Sequence, residues 1–289
     1  DVPTWEDIPV DELGPAPVIS NISPRGSNRE VTNILLIGVD SRKKGSFSGL
    51  SDTMMLLSIN KRHREIRLVS FLRDTYVKIP AHGKYKERNG KLNSAFSAGG
   101  FELLAKTFER NFALKLDKYV VVNFGGLEEI VDAVGGLDVP VTAAEARQIP
   151  VSKNSSRKLG GGARTVHLNG YQTVQYARIR MIDSDFKRTL RQQKVMELLF
   201  NKVKSSGAIQ AHNFVYTALD YVKTNLTEAE IVGYAINGFT TYSRYALKTD
   251  YQVPSANQYT GKTLKSAGAV LILKDPNQTV LQLHRYLYE

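Results

Sequence analysis

The apolar run Ile34-Leu35-Leu36-Ile37-Gly38-Val39 constrains this chain more than any other segment. It is short, rich in β-branched residues and followed by polar ones, the character of a central strand. Residues 53–59 and 66–72 come next, each after a polar, basic turn, and read as two more strands. The period then changes. Phe101, Leu104, Ala105 and Phe108 lie at amphipathic-helix spacing within 100–112, residues 119–124 form a strand, and 127–134 form a helix stopped by Gly135. Residues 174–181 read as a strand, and 190–203 as a helix whose Val195, Leu198, Leu199 and Val203 share one face. Thr227 with Glu230 makes a capping box that opens another helix, and a strand at 269–273 precedes the last one. Strands interleaved with helices predict an α/β fold, a single domain in which a central mixed β-sheet is covered by helices.

A chain of 289 residues with 42% hydrophobic composition can bury a sizeable core. Residues 1–30 cannot build one of their own. Pro3, Pro9, Pro15, Pro17 and Pro24 among few large apolar residues predict a linker or edge strap there, ahead of a domain over 31–289. The chain starts at Asp1, and no apolar run approaches the ~18 residues of a membrane span. The expectation is a piece of a longer protein, with any signal or anchor lying before Asp1. Residues 152–165, with Gly160, Gly161, Gly162 and several cations, predict a mobile surface loop.

The absence of cysteine excludes disulfides, thiol nucleophiles and Cys-based zinc sites. Neither G-x-x-x-x-G-K-[ST], G-x-G-x-x-G, G-x-S-x-G nor H-E-x-x-H occurs, which disfavours nucleotide hydrolysis, serine hydrolysis and zinc chemistry. A formal charge of +11 and a pI near 9.6 favour an anionic partner: nucleic acid, a membrane surface or a phosphorylated substrate.

Two constellations can carry chemistry. Arg178, Arg180, Arg188 and Arg191 cluster with Gln192 just before an apolar helix, and Arg188 and Gln192 are four residues apart, on one helical face. Guanidinium forks bind phosphate oxygens bidentately, and a helix N-terminus adds backbone donors, so the cluster reads as a polyphosphate clamp. The same spacing suits a solvated basic face with Asp183 and Asp185 as ion-pair partners. On a strand at 174–181, Arg178 and Arg180 would point to one side of the sheet, where an anion between them would offset their burial. In the second constellation, Asp40 ends one strand and Asp52 begins the next, so the two carboxylates can meet at one sheet edge; paired hard oxygen ligands suit Mg²⁺ completed by substrate phosphates. Asp after a strand is also an ordinary turn residue. Arg73-Asp74 after the third strand is either a structural ion pair or a further phosphate contact with its orienting carboxylate.

Residues 33–40 (NILLIGVD), 51–55 (SDTMM), 70–75 (SFLRDT), 134–139 (VGGLDV) and 176–192, in this order, resemble the LytR-CpsA-Psr family. That resemblance implies an α-β-α fold and an enzyme outside the membrane of a Gram-positive-type bacterium. Such an enzyme moves a teichoic acid or capsular polysaccharide from undecaprenyl pyrophosphate to peptidoglycan. It also implies an N-terminal membrane anchor, with residues 1–30 juxtamembrane. By the same resemblance, Asp40 and Asp52 are magnesium ligands, with Mn²⁺ as the alternative ion. Arg73, Arg178, Arg180, Arg188 and Gln192 become pyrophosphate ligands, and Asp185 orients the cluster. The family commonly has Arg where this chain has Leu50, and Arg42 or Lys91 could substitute. Residues 103–112 and 198–203 could line an apolar tunnel for the prenyl chain, or could simply be core.

The expected mechanism is an attack by an acceptor sugar hydroxyl on the polymer-proximal phosphorus, with Arg73 and Arg180 stabilising charge and Asp74 or Asp185 accepting the proton. Three alternatives remain at this stage. A lipid-pyrophosphate hydrolase would use water with the same residues. A non-catalytic binder of wall polymer has no use for the two acids Asp40 and Asp52. A nucleic-acid regulator is disfavoured because the cations alternate with carboxylates instead of forming a stripe, so no nucleic-acid partner is expected.

Overall fold

The computed structural model describes residues 15–41, 45–83, 85–206, 208–264 and 268–289. The chain runs β1 (Val31–Val39), β2 (Ser51–Asn60), β3 (Glu65–Phe71), β4 (Tyr76–Ile79), β5 (Arg88–Lys91), α1 (Leu92–Phe112), β6 (Tyr119–Asn123), α2 (Phe124–Ala133), β7 (Leu137–Val141) and α3 (Ala143–Ala146). It continues through β8 (Arg164–Leu168), α4 (Gly170–Ala177), α5 (Asp185–Ser205), α6 (Ala208–Leu219), β9 (Val222–Thr224), α7 (Glu228–Thr240), β10 (Ala246–Val253), β11 (Tyr259–Leu264), β12 (Gly268–Leu273) and α8 (Pro276–Tyr288). A central sheet in the order β10-β3-β2-β1-β6-β9 is flanked by helices, the α/β architecture expected from the alternating pattern.

The chain divides into two compact units, one of Asp1–Asp40, Ser48–Val121 and Tyr251–Glu289, the other of Ser41–Phe47 and Val122–Asp250. In the first, β1, β2 and β3 are antiparallel neighbours, with Leu35 opposite Leu56 and Leu56 opposite Val69. These three residues are completely buried. Their apolar runs form strands because both sheet faces are covered. Phe108 and Phe112 of α1 meet Phe71 of β3 edge to face, with ring centres 4.6 and 5.1 Å from its own, so this part of the expected tunnel lining is close-packed core. α1 bends at Gly99 and Gly100; Gly100, at φ +60°, has a backbone that only glycine adopts without strain. Of the expected linker, residues 1–14 lie outside the described residues, whereas Ala16 is buried against Tyr76, Leu264 and Val270.

In the second unit the core gathers Val131, Leu137, Val139, Leu168, Tyr176 and Val195 from α2, β7, β8, α4 and α5. Here 174–181 is not a strand. Asn169 accepts a hydrogen bond from the Gln172 amide, and the Gln172 side chain answers at the Asn169 amide, so a capping box starts α4 and carries it to Ala177. Val174 and Tyr176, two residues apart, lie on opposite sides of a helix of just over two turns, and both are buried because α4 is covered on nearly every side. Residues 152–163 are turns, bends and irregular backbone among mostly exposed residues, as a surface loop requires, while Arg164 and Thr165 already belong to β8.

Candidate active site

In the first unit, β1 and β2 pair so that Val39 faces Ser51, which sets Asp40 and Asp52 at the same end of the ladder. Asp40 is exposed and the Asp52 side chain is 10% exposed. Arg73 Nη1 donates to Asp52 Oδ1 at 2.5 Å, Arg73 Nε lies 3.5 Å from Asp74 Oδ2, and Lys91 Nζ lies 2.8 Å from Asp74 Oδ1. Acid and base thus alternate along Asp52, Arg73, Asp74 and Lys91. The backbone holds this chain of charges in place: the Asn93 amide donates to the Arg73 carbonyl at 3.2 Å and the Leu271 amide to the Asp74 carbonyl at 2.9 Å. A carboxylate accepts about four hydrogen bonds, so Arg73 does not exhaust Asp52. Among the described residues no group of three or more His, Cys, Asp or Glu gathers as a metal cage. A metal held here would rest on two carboxylates, with phosphate and water completing its shell, the pattern that suits Mg²⁺.

In the second unit, Arg178 caps the C-terminus of α4 and its guanidinium sits 4.5 Å from the centre of the Phe124 ring, at the start of α2. Arg178 and Arg180 therefore lie in the loop after a helix, not side by side on a strand, and Arg180 is exposed. Ser184 caps α5 by accepting from the Lys187 amide, and Asp185 in the first turn meets Arg188 Nη2 at 2.8 Å. Arg188 is 2% exposed, and Gln192 follows one turn later on the same helix.

Arg191, which the sequence grouped with the phosphate contacts, is turned inward. Its Nη1 and Nη2 each donate to Asp183 at 2.7 Å, Nη2 also donates to the Ile179 carbonyl at 2.7 Å, and Glu145 lies 3.4 Å from Nη1. That hydrogen bond holds the Asp183 carboxyl below the usual carboxylate range. Burial, reinforced by the Glu145 carboxylate, pushes the adjacent Tyr176 hydroxyl well above its ordinary value. Glu145 was missed in the sequence, although Thr142 three residues earlier forms a capping box with it. Lys91 sits in the charged chain of the first unit, and Arg42 lies outside the described residues.

The model of the LytR_cpsA_psr family matches residues 11–268. The chain belongs to the LytR-CpsA-Psr family. One relative, the polyisoprenyl-teichoic acid–peptidoglycan teichoic acid transferase TagU of Bacillus mycoides, is 34% identical over 208 residues, 71% of this chain and 64% of that protein. The matched part is thus less than two thirds of that relative's length. Protein gbs0355 from Streptococcus agalactiae has the same fold, with a TM-score of 0.73 over 89% of this chain and 86% of its own at 24% identity. A TagT structure described as bound to LI-WTA reaches a TM-score of 0.69 over 90% of both chains at 25% identity. The motifs that suggested LytR-CpsA-Psr membership run through β1, β2, the turn after β3, the α2–β7 turn and α4–α5. Among the described residues of this LytR-CpsA-Psr chain, no helix is long and apolar enough to cross a membrane.

Proposed function

We propose that this chain is the catalytic part of a phosphotransferase that moves an anionic glycopolymer, a teichoic acid or capsular polysaccharide, from undecaprenyl pyrophosphate to peptidoglycan. It would act outside the cell membrane, held there by an anchor preceding Asp1. The observation that carries this reading is the register that puts Asp40 and Asp52 at the same end of the β1–β2 ladder, where Asp52 is paired with Arg73. A protein that only binds polyanions gains nothing from two acids in that place, whereas a metal-assisted phosphoryl transfer needs them. Family membership and the transferase name of TagU support the same reading.

Asp40 and Asp52 would hold Mg²⁺, or Mn²⁺, which when bound neutralises phosphate oxygens. Arg73, held between Asp52 and Asp74, offers a fixed guanidinium to a phosphate, with Lys91 adding the cation that Leu50 does not supply. In the second unit Arg178, Arg180, Arg188 and Gln192 contact pyrophosphate oxygens, and Arg191 positions them by gripping the Ile179 carbonyl between Arg178 and Arg180. The acceptor hydroxyl forms a new bond to the polymer-proximal phosphorus, the bond to the bridging oxygen breaks, and undecaprenyl phosphate leaves with the electron pair. The hydroxyl proton passes to a carboxylate. Asp74 lies between two cations, Lys91 and Arg73, whereas Asp185 meets one, Arg188, so we assign that role to Asp185.

The test is turnover of an undecaprenyl-type pyrophosphate glycan with peptidoglycan oligomers, with and without Mg²⁺. Coupled product that needs Mg²⁺ and is lost in Asp52→Ala and Arg180→Ala is expected. Wild-type transfer by Arg180→Ala at saturating donor would sink the clamp assignment, and lipid phosphate released without coupling would make the enzyme a hydrolase.

A further inference from the structure

A cavity of about 190 Å³ lies wholly within the second unit, lined among others by Gly125, Gly126, Glu128, Lys153, Tyr171 and Tyr221. The sequence shapes it closely. A Cβ on Gly126 would come within 2.7 Å of the Tyr221 carbonyl, so the approach of Tyr221 to the start of α2 requires glycine. Gly170 packs against the Glu128 carbonyl so tightly that a Cβ would overlap it, and its amide donates to Asp132 Oδ1 at 2.7 Å, which fixes Tyr171 next to it. Asn123 is framework rather than ligand, since its side chain accepts from the Gly126 amide at 2.7 Å and donates to the Ser46 carbonyl at 2.9 Å.

We infer that this cavity is a saccharide subsite that takes one pyranose ring of a glycan substrate. Among the described residues that line it, Glu128 and Glu129 stand against the single ammonium of Lys153, 3.9 Å from Glu128 Oε2. Tyr171 and Tyr221 are among its lining residues, the residue type on which the C–H side of a pyranose packs, and the carboxylates of Glu128 and Glu129 can accept from its hydroxyls. The volume is below the ~300 Å³ at which pockets for drug-sized ligands begin, so a single ring fits better than a nucleotide. Tyr171 and Arg178 are seven residues apart along α4, about 10 Å, and Arg178 stacks on Phe124 at the first position of α2. A ring in the cavity therefore lies one to two sugar lengths from a cation that the proposed function assigns to pyrophosphate. The assignment of the sugar to donor or acceptor rests on that reading; the saccharide chemistry of the pocket does not.

The experiment is amide-resonance mapping of the intact wild-type protein titrated separately with a peptidoglycan disaccharide, a teichoic acid oligomer and inorganic pyrophosphate. Either glycan is expected to shift Gly125, Gly126, Lys153, Tyr171 and Tyr221, the disaccharide marking an acceptor site and the oligomer a donor site. Pyrophosphate is expected to shift residues 178–192 instead. Tyr171→Ala should weaken the glycan about tenfold while Tyr171→Phe retains it, a change in Kd read from the same titrations. If neither glycan moves the five pocket amides of the wild-type protein, the subsite is refuted, even where transfer is observed. If they move and no transfer occurs with any donor, the subsite stands and the transferase reading falls.

Discussion

Arg191 is 4% exposed, and its value lies in what it holds. One guanidinium closes a bidentate pair with Asp183 and catches the carbonyl of Ile179, the residue between the two cations of the loop. Removing one partner of a buried pair leaves the other charge uncompensated, and Asp183 is about a quarter exposed, so Arg191→Met should destabilise by about 3 kcal/mol, the low end of that range. Urea unfolding at neutral pH measures this; a loss under ~1 kcal/mol would mean that the loop is held by other contacts. The pair also has a pH signature. Because Arg191 depresses the Asp183 pKa in the folded state, the stabilisation is complete above the unfolded carboxylate value of ~4 and is lost as pH falls through the lower folded value. The stability difference between wild type and Asp183→Asn should therefore be constant from pH 7 down to about pH 5 and shrink below about pH 4. A difference that stayed constant into acid would remove Asp183 as the titrating partner.

At the scale of elements, α1 holds the most direct backbone test. Gly100 combines φ +60° with ψ −153°, a region open in practice to glycine alone, and nothing lies within 4 Å of where its Cβ would sit. Gly100→Ala should thus cost roughly 1–3 kcal/mol through the backbone alone, measured as a lowered urea midpoint with unchanged m-value. A neutral substitution would show that the bend relaxes freely. The same helix illustrates how far the sequence could be read. Phe101, Leu104 and Phe108 announced the helix from Gly100 onward because their spacing is periodic, whereas Leu92–Ala98 stayed hidden because Asn93, Ser94 and Ser97 interrupt the pattern and two glycines follow. Residues 174–181 went wrong for the opposite reason. Over so short a stretch a helix buried on nearly every side shows no 3.6-residue period to tell it from a strand, and the deciding signal, the capping box of Asn169 and Gln172, lies upstream of it. In the site, Asp40 and Asp52 were legible as a pair because strand ends are, while the partners Lys91 and Glu145 come from distant segments that only folding brings to Asp74 and Arg191.

For the whole molecule, the +11 charge and the neutral chemistry of a sugar make separable demands on ionic strength. An anionic lipid pyrophosphate is drawn to a strongly cationic protein by a field that salt screens over about 10 Å at 0.1 M and about 3 Å at 1 M. Contacts to a buried cation such as Arg188, at 2% exposure, are screened far less. Raising NaCl from about 0.1 M to about 1 M should therefore lift the KM for the donor about tenfold and leave kcat within about twofold, since the field governs encounter more than the bound state. Binding of an uncharged N-acetylglucosamine disaccharide, which lacks the carboxylate of a peptidoglycan disaccharide, to the cavity beside Tyr171 should not respond, because the ligand carries no charge to be screened. Steady-state transfer measured across that salt range, beside disaccharide titrations in the same buffers, separates the two terms. A donor KM indifferent to salt would mean that the basic surface plays no part in capture and that the exposed cations serve solubility alone, whereas a parallel loss of disaccharide binding would show that the pocket depends on Lys153 rather than on its aromatic walls.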